Sequence, residues 1–137
     1  MICSNDMCIE VILVSSEPLT KEILASLGSG ALAIAVRPEA VRDWRYLLQA
    51  LVYAYALKGP ARDSRISALM YLTQQDSIES AVATTSPLGL SEYVVAVYGK
   101  REEVEKALKS LPRGLPYYPE RDFDPWLITN FALKRLT

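Results

Sequence analysis

EYVVAVY, Glu92 to Tyr98, decides the fold: β-branched and aromatic residues dominate it, and such a run suits a pleated, buried surface better than a helix. It predicts a strand. Gly99 reads as a turn. From Lys100 to Leu111 the apolar spacing changes to intervals of three and four, with Val104, Ala107, Leu108 and Leu111 facing inward. Glu102/Lys106 and Glu105/Lys109 form i,i+4 pairs on the outer face. A strand followed at once by an amphipathic helix is the unit of an α/β layer structure.

The same alternation opens the chain. Cys8 to Val14 (CIEVILV) reads as a strand, and Ser16-Glu17-Pro18 as the start of a helix to about Leu27 that carries Leu19, Ile23 and Leu27. Gly28 to Gly30 end it, and Ala31 to Val36 form a second buried strand. Pro38 then opens the strongest helix, ending near Lys58 and Gly59, with Val41, Trp44, Leu48, Leu51 and Tyr55 on one stripe. Its second half is apolar nearly all round, which predicts cover on several sides, whereas Arg42, Arg45 and Gln49 make an exposed polar face on the first half. After the Gly59-Pro60 break, Arg65 to Leu72 and Asp76 to Thr84 read as two short helices, the second capped by Asp76 with Glu79. Pro87 and Gly89 end the pair. Pro112 to Pro119 is a connection with room for a short strand, and Asp124-Pro125 starts a last helix reaching Arg135. The expected fold is one α/β (α+β) domain over residues 1–137. Its order is β-α-β-α-α-α-β-α-(β)-α, with a mixed sheet of about four strands and five to six helices.

A chain of 137 residues, 50% hydrophobic and 23% charged, is long and apolar enough for one buried core. The longest apolar stretch, Ala50 to Leu57, falls far short of the roughly 20 residues a membrane helix needs. Met1 to Met7 lacks the basic region and cleavage site of a signal peptide, so the cytoplasm is the expected compartment. Cys3 and Cys8 are too few for a disulfide framework or a zinc site and read as reduced thiols. The net charge of −1 hides a basic middle: Arg37 to Leu72 holds six basic residues against three acidic ones.

The chain has no histidine, which removes the commonest general base and metal ligand and every Ser-His or Cys-His pair. No catalytic residue, metal ligand or cofactor is expected. Gly28-Ser29-Gly30 joins a helix to a strand, the wrong order for a dinucleotide fingerprint. Gly99-Lys100-Arg101 has the right order for a phosphate at a helix N-terminus, but with one glycine it reads as an ordinary turn. A small enzyme using Lys58 or Ser67 is the weakest reading, since neither has a base or oxyanion partner in view. Lys58, Arg62 and Arg65 flank the Gly59-Pro60 bend and suit phosphates. Among Tyr46, Tyr53, Tyr55 and Tyr71, mostly core residues, Tyr71 is the candidate to stack on an unpaired base. On the last helix Leu127, Ile128, Phe131 and Ala132 share an inward face, while Trp126, Leu133 and Leu136 share the opposite one and suit a protein partner.

From Trp44 to Gly89 the layout resembles the kinase-binding (Cgi) subunit family of the KEOPS complex, which makes threonylcarbamoyl-adenosine in tRNA. The residues that carry the likeness are Arg65-Ile66-Ser67-Ala68-Leu69-Met70-Tyr71-Leu72, then Gln75-Asp76-Ser77-Ile78, then Ala81-Val82 and Gly89 before the strand. Ala68 stands where the family often has glutamate, and Asp76-Ser77 where it has Arg-Gln. The resemblance implies a noncatalytic subunit that docks on the complex's atypical kinase through C-terminal helices and recruits tRNA by its single-stranded CCA tail. Trp126, Leu133 and Leu136 become the kinase contacts, and Lys58, Arg62, Arg65 and Tyr71 the tRNA contacts. A small-ligand-binding regulatory domain of the ACT-like kind is the rival, disfavoured by the extra helices between Arg65 and Thr84.

Overall fold

The computed structural model describes residues 1–15, 18–27 and 30–136, apart from the side chains of 24–26 and 136. Ser16-Glu17 and Gly28-Ser29, which bound the first helix in sequence terms, lie outside the described residues. The strand expected at 92–98 is β4 (Tyr93–Lys100), and it sits between β2 (Met7–Val14) and β3 (Leu32–Val36). Ala96 faces Val11 on one side and Ile34 on the other, and every pairing is antiparallel. The mixed sheet expected from the alternation is therefore corrected. β2 and β3 do run parallel, joined through α1 (Lys21–Ser26), but β4 is inserted between them, a split βαβ arrangement.

Two short strands complete the sheet on the far edge of β2. β1 (Ile2–Ser4) had no counterpart in the expected order, whereas β5 (Leu115–Pro116) occupies the predicted connection. β5 comes so close that a Cβ on Gly114 would lie 2.7 Å from the Leu13 carbonyl oxygen, so glycine is required there. The hairpin β1–β2 turns at Asn5-Asp6, with Asn5 in the left-handed region that asparagine tolerates. It sets Cys3 directly opposite Cys8, and the two form a disulfide. The reading as reduced thiols is corrected: the five-residue spacing matters less than the pairing register that the turn imposes.

Side chains alternate across the sheet into two apolar layers. Ile9, Val11, Ile34, Val36, Val94 and Ala96 pack against α2 (Trp44–Leu57), α3 (Ser64–Thr73), α4 (Ile78–Thr85) and α6 (Trp126–Leu136). Cys8, Ile12, Ala33, Ala35, Val95 and Val97 pack against Leu19, Leu27 and the inner residues Val104 and Ala107 of α5 (Arg101–Lys109). Cover on both faces is why β4 reads as an unbroken apolar run although the sheet is antiparallel.

Four helix boundaries differ from the expected ones. α1 begins after Pro18, where the Thr20 hydroxyl accepts the Ile23 N–H. Pro38–Ala40 makes only one 3-10 turn, because Val41 and Asp43 are extended and Asp43 caps the true helix, accepting from Arg45 N–H at 3.0 Å. This rotates the buried face of α2 to Leu47, Ala50, Leu51 and Ala54, and leaves Tyr55 and Leu57 exposed. The cap of α4 is Ser77, which accepts the Ser80 N–H at 3.2 Å, while Asp76 pairs with Arg135 of α6. Gly99 lies inside β4, where a Cβ would meet that of Ala31 at 3.3 Å, and the chain enters α5 with no turn. On α5 the observed ion pair is Arg101–Glu105.

Of the polar face expected to be exposed on the first half of α2, Arg42 is exposed, whereas Arg45 and Gln49 are partly covered by the segment 119–125. Asp43, 0% exposed, anchors this cover: besides binding Arg45 through two side-chain hydrogen bonds of 2.9 and 2.8 Å, it accepts the N–H groups of Arg121 and Asp122 at 3.0 and 3.3 Å. The Arg45 guanidinium lies over the Phe123 ring, 5.0 Å from its centre. Trp44 donates its backbone N–H to the Pro119 carbonyl and its indole N–H to Glu120; the Tyr46 hydroxyl accepts the Asp124 N–H. Tyr118 donates to Glu10 of β2, and burial together with that carboxylate pushes its phenol well above the ordinary tyrosine range.

The Arg45 hydrogen bond, outweighing burial, holds the Asp43 carboxyl well below the usual carboxylate range. A depressed folded-state value means that its contribution to stability is complete above about pH 4 and is lost as the pH falls through and below that point. Asp43→Asn should cost roughly 3 kcal/mol at pH 7, and flatten the acid limb of the stability curve below about pH 4. Thermal unfolding of the two proteins from pH 7 to pH 2 checks both effects.

Candidate functional site

The basic candidates lie around the corner between α2 and α3. Lys58 ends α2 in the left-handed conformation, with φ of 49°, and its side chain is exposed. Arg62 is exposed too, and among the described residues neither has an acidic partner. Arg65 differs: its guanidinium meets Asp63, the cap of α3, at 3.3 Å, and it lines a groove on the side of β3. The structure thus leaves two free cations, Lys58 and Arg62, and one cation shared with a carboxylate.

Tyr71 is corrected as a stacking residue. It is 2% exposed, with its ring edge-on to Tyr53 and to Phe131 at centroid distances of 5.8 Å, and burial raises its phenol above the ordinary tyrosine range. Its place in sequence, six residues after Arg65, put it near the polar turn at Gln74 but on the inner side of α3. Tyr46 and Tyr53 also work as structural residues: Tyr46 holds Asp124, and the Tyr53 hydroxyl is 2.7 Å from Thr129 Oγ1. Of these four tyrosines Tyr55 is the one left exposed, one turn before Lys58 and edge-on to Tyr98 at 5.5 Å. The rotated phase of α2 is the signal that would have found it.

Ser67 has no spare hydroxyl. It is fully buried, donates to the Ala61 carbonyl and accepts the Ala61 N–H, both at 2.9 Å, and so ties the loop after Gly59-Pro60 to α3. At the end of β4 the first turn of α5 carries Glu102 and Glu103, which oppose a phosphate at that helix terminus.

On α6 the inner face is Ile128, Phe131 and Ala132, all buried, with Asp124 Oδ1 accepting the Trp126 N–H at 2.9 Å. Gln49 donates to the Pro125 carbonyl and to Thr129, both at 3.0 Å, which fixes the rotation of the helix on α2. Trp126 and Leu133 are 62% and 52% exposed, and the side chain of Leu136 lies outside the described residues. Leu127, expected inside, is 46% exposed and widens the outer apolar face. Its position a third of a turn from Trp126 is what an inward assignment overlooked.

A groove of about 350 Å³ lies along β3, lined by Lys21 of α1, by Asp63, Arg65, Ile66 and Leu69 at and within α3, by Val82 of α4 and by residues 85–88. No residue pattern in the sequence signalled it, since its walls come from segments up to 67 residues apart. No family model and no curated protein matches the chain. No helix among the described residues is long and apolar enough to cross a membrane.

Tyr71→Ala should destabilise the chain by about 3–5 kcal/mol by opening a cavity between Tyr53 and Phe131. Chemical denaturation checks this, and a loss under 1 kcal/mol would return the ring to the surface.

Proposed function

We propose that this chain is a noncatalytic subunit of the KEOPS type: it docks an atypical kinase through the outer face of α6 and recruits tRNA by its CCA tail for threonylcarbamoyl-adenosine modification. The observation that carries the reading is the second apolar face of α6. Its inner face is already packed, yet Trp126, Leu127 and Leu133 form an outer patch rich in the residue types that anchor protein interfaces. A helix held by Gln49 and Asp124 presents that patch in one orientation, which lowers the ordering cost of docking.

The tRNA contacts are Lys58 and Arg62, with Tyr55 now in the stacking role first given to Tyr71. Lys58, one turn after the exposed Tyr55 ring, and Arg62, just beyond the bend that follows, suit a single-stranded phosphate backbone with an unpaired base. Arg65 contributes less, because Asp63 already neutralises it. Such a subunit works in the cytoplasm, and the Cys3–Cys8 bond belongs there only in a setting that keeps intracellular disulfides oxidised, as in hyperthermophiles.

Leu133→Glu should abolish co-purification with the kinase while the far-ultraviolet circular dichroism stays unchanged; retained binding would move the interface elsewhere. Changing Lys58 and Arg62 together to Glu should weaken tRNA binding at least tenfold and reduce the slope of its salt dependence by about two. Intact tRNA should bind more tightly than tRNA trimmed of its CCA end, and equal binding would sink the tRNA half of the proposal.

A further inference from the structure

The groove along β3 is walled by aliphatic side chains that the fold leaves partly uncovered. Ile66 and Leu69 of α3 are half-buried, and Val82 of α4 and Leu88 beyond it are 39% and 41% exposed. Aliphatic residues scattered singly over a surface are ordinary. Four that converge on one recess of about 350 Å³ make an apolar site, near the lower end of the roughly 300–1,000 Å³ range of ligand pockets. At the ~30 Å³ that a water takes in the liquid, such a recess holds roughly a dozen non-hydrogen atoms. That suits a short acyl chain with its head group, and is too little for a nucleotide.

Hydrogen bonds hold the walls in place. The Arg37 guanidinium donates to the Ser86 carbonyl at 3.1 and 3.0 Å, and the Arg37 N–H reaches the Thr85 carbonyl at 2.8 Å, so the segment after α4 is fastened to the end of β3. The Leu90 carbonyl accepts the Leu19 N–H at 3.4 Å, which ties that segment to the chain entering α1, two residues before Lys21. At the other end Asp63 caps α3, accepting the Arg65 N–H at 2.8 Å. A recess with fixed walls binds without the cost of ordering them.

Charge selects the head group. Lys21, Asp63 and Arg65 are the charged residues of the lining. Arg65 and Asp63 meet at 3.3 Å and neutralise each other, whereas Lys21 is exposed and has no acidic partner among the described residues. The lining therefore carries one net positive charge, on a flexible ammonium. A monoanion matches it; a phosphate dianion would bring a second charge that no free cation meets, close to the Asp63 carboxylate. The four aliphatic side chains offer no hydrogen bond, so the rest of the ligand is hydrocarbon.

We infer that the β3 groove binds a small aliphatic monocarboxylate, its chain against Ile66, Leu69, Val82 and Leu88 and its carboxylate paired with the Lys21 ammonium. This site is separate from the outer face of α6 and from Lys58 and Arg62, and does not depend on the KEOPS reading.

The test titrates the full chain with octanoate, octylammonium and octanol, followed by calorimetry and by backbone amide resonances. Octanoate should bind with a Kd below about 1 mM, at least tenfold tighter than octylammonium or octanol, and should shift the amides of residues 33–35, Leu69, Val82 and Leu88. Lys21→Glu, at an exposed position, should reverse the order of octanoate and octylammonium. Val82→Trp should fill the recess and abolish binding of both with the far-ultraviolet circular dichroism unchanged; should that variant fail to fold, Leu88→Glu, 41% exposed in the parent residue, should weaken octanoate at least tenfold by repelling its carboxylate. No octanoate binding at ten times the expected Kd, equal binding of the three compounds, an unreversed order in Lys21→Glu, or shifts confined to the outer face of α6 would overturn the proposal.

Discussion

The Asp43 carboxylate accepts hydrogen bonds from its own helix through Arg45 and from the distant segment 121–122, and it does so at a fully buried position. Everything downstream of β5 depends on this junction. It lays residues 119–125 along α2, where Trp44, Tyr46 and Gln49 each add a hydrogen bond, and so delivers α6 to the groove between α2 and α3 with its inner face aligned. A buried ion pair contributes little net stability when compared with apolar residues of the same shape. Here its value lies in geometry: backbone N–H groups from one segment and a guanidinium from another converge on one carboxylate, and removing it leaves them unpaired.

The parts of the fold that rest on local pattern were legible. β2, β3 and β4 carry β-branched runs, α5 has an apolar stripe, and Asp124-Pro125 marks the start of α6, so their places follow from residues near one another. What escaped was set by distant partners. Asp43 stands before Trp44 with a good helix-cap signal, but Pro38 offers a second start five residues earlier, and only the extended backbone at Val41 and Asp43 decides between them. That one shift turned the buried face of α2 by a fraction of a turn, so that Leu47 is buried and Tyr55 is exposed. Likewise, Cys3 and Cys8 are joined because a hairpin places them opposite, which requires the turn at Asn5-Asp6 to be recognised first.

The candidate site divides in the same way. Lys58 and Arg62 are exposed as polar residues near a chain bend should be, and Trp126 and Leu133 are exposed because helical periodicity leaves them opposite a packed face. Tyr71 could not be placed from the sequence, since a tyrosine on an amphipathic helix is equally compatible with core and surface; its neighbours Tyr53 and Phe131 are 18 and 60 residues away along the chain. The β3 groove had no signature at all, because β3 becomes an edge only once β4 is inserted between it and β2. The outcome is a molecule whose polar residues are largely used to hold segments together, while the outer apolar face of α6 and the cations Lys58 and Arg62 are among the surface features without a partner among the described residues.

The Asp43 junction holds α6 as part of the folded unit and fixes the orientation of its outer apolar face. Amide hydrogen exchange of the isolated chain tests it most directly. The Arg121 and Asp122 amides and those of residues 128–132 should exchange slowly and with the same opening free energy, as one cooperative unit. Exchange of Arg121 and Asp122 at the rate of an open chain, or protection of α6 unrelated to theirs, would contradict the account.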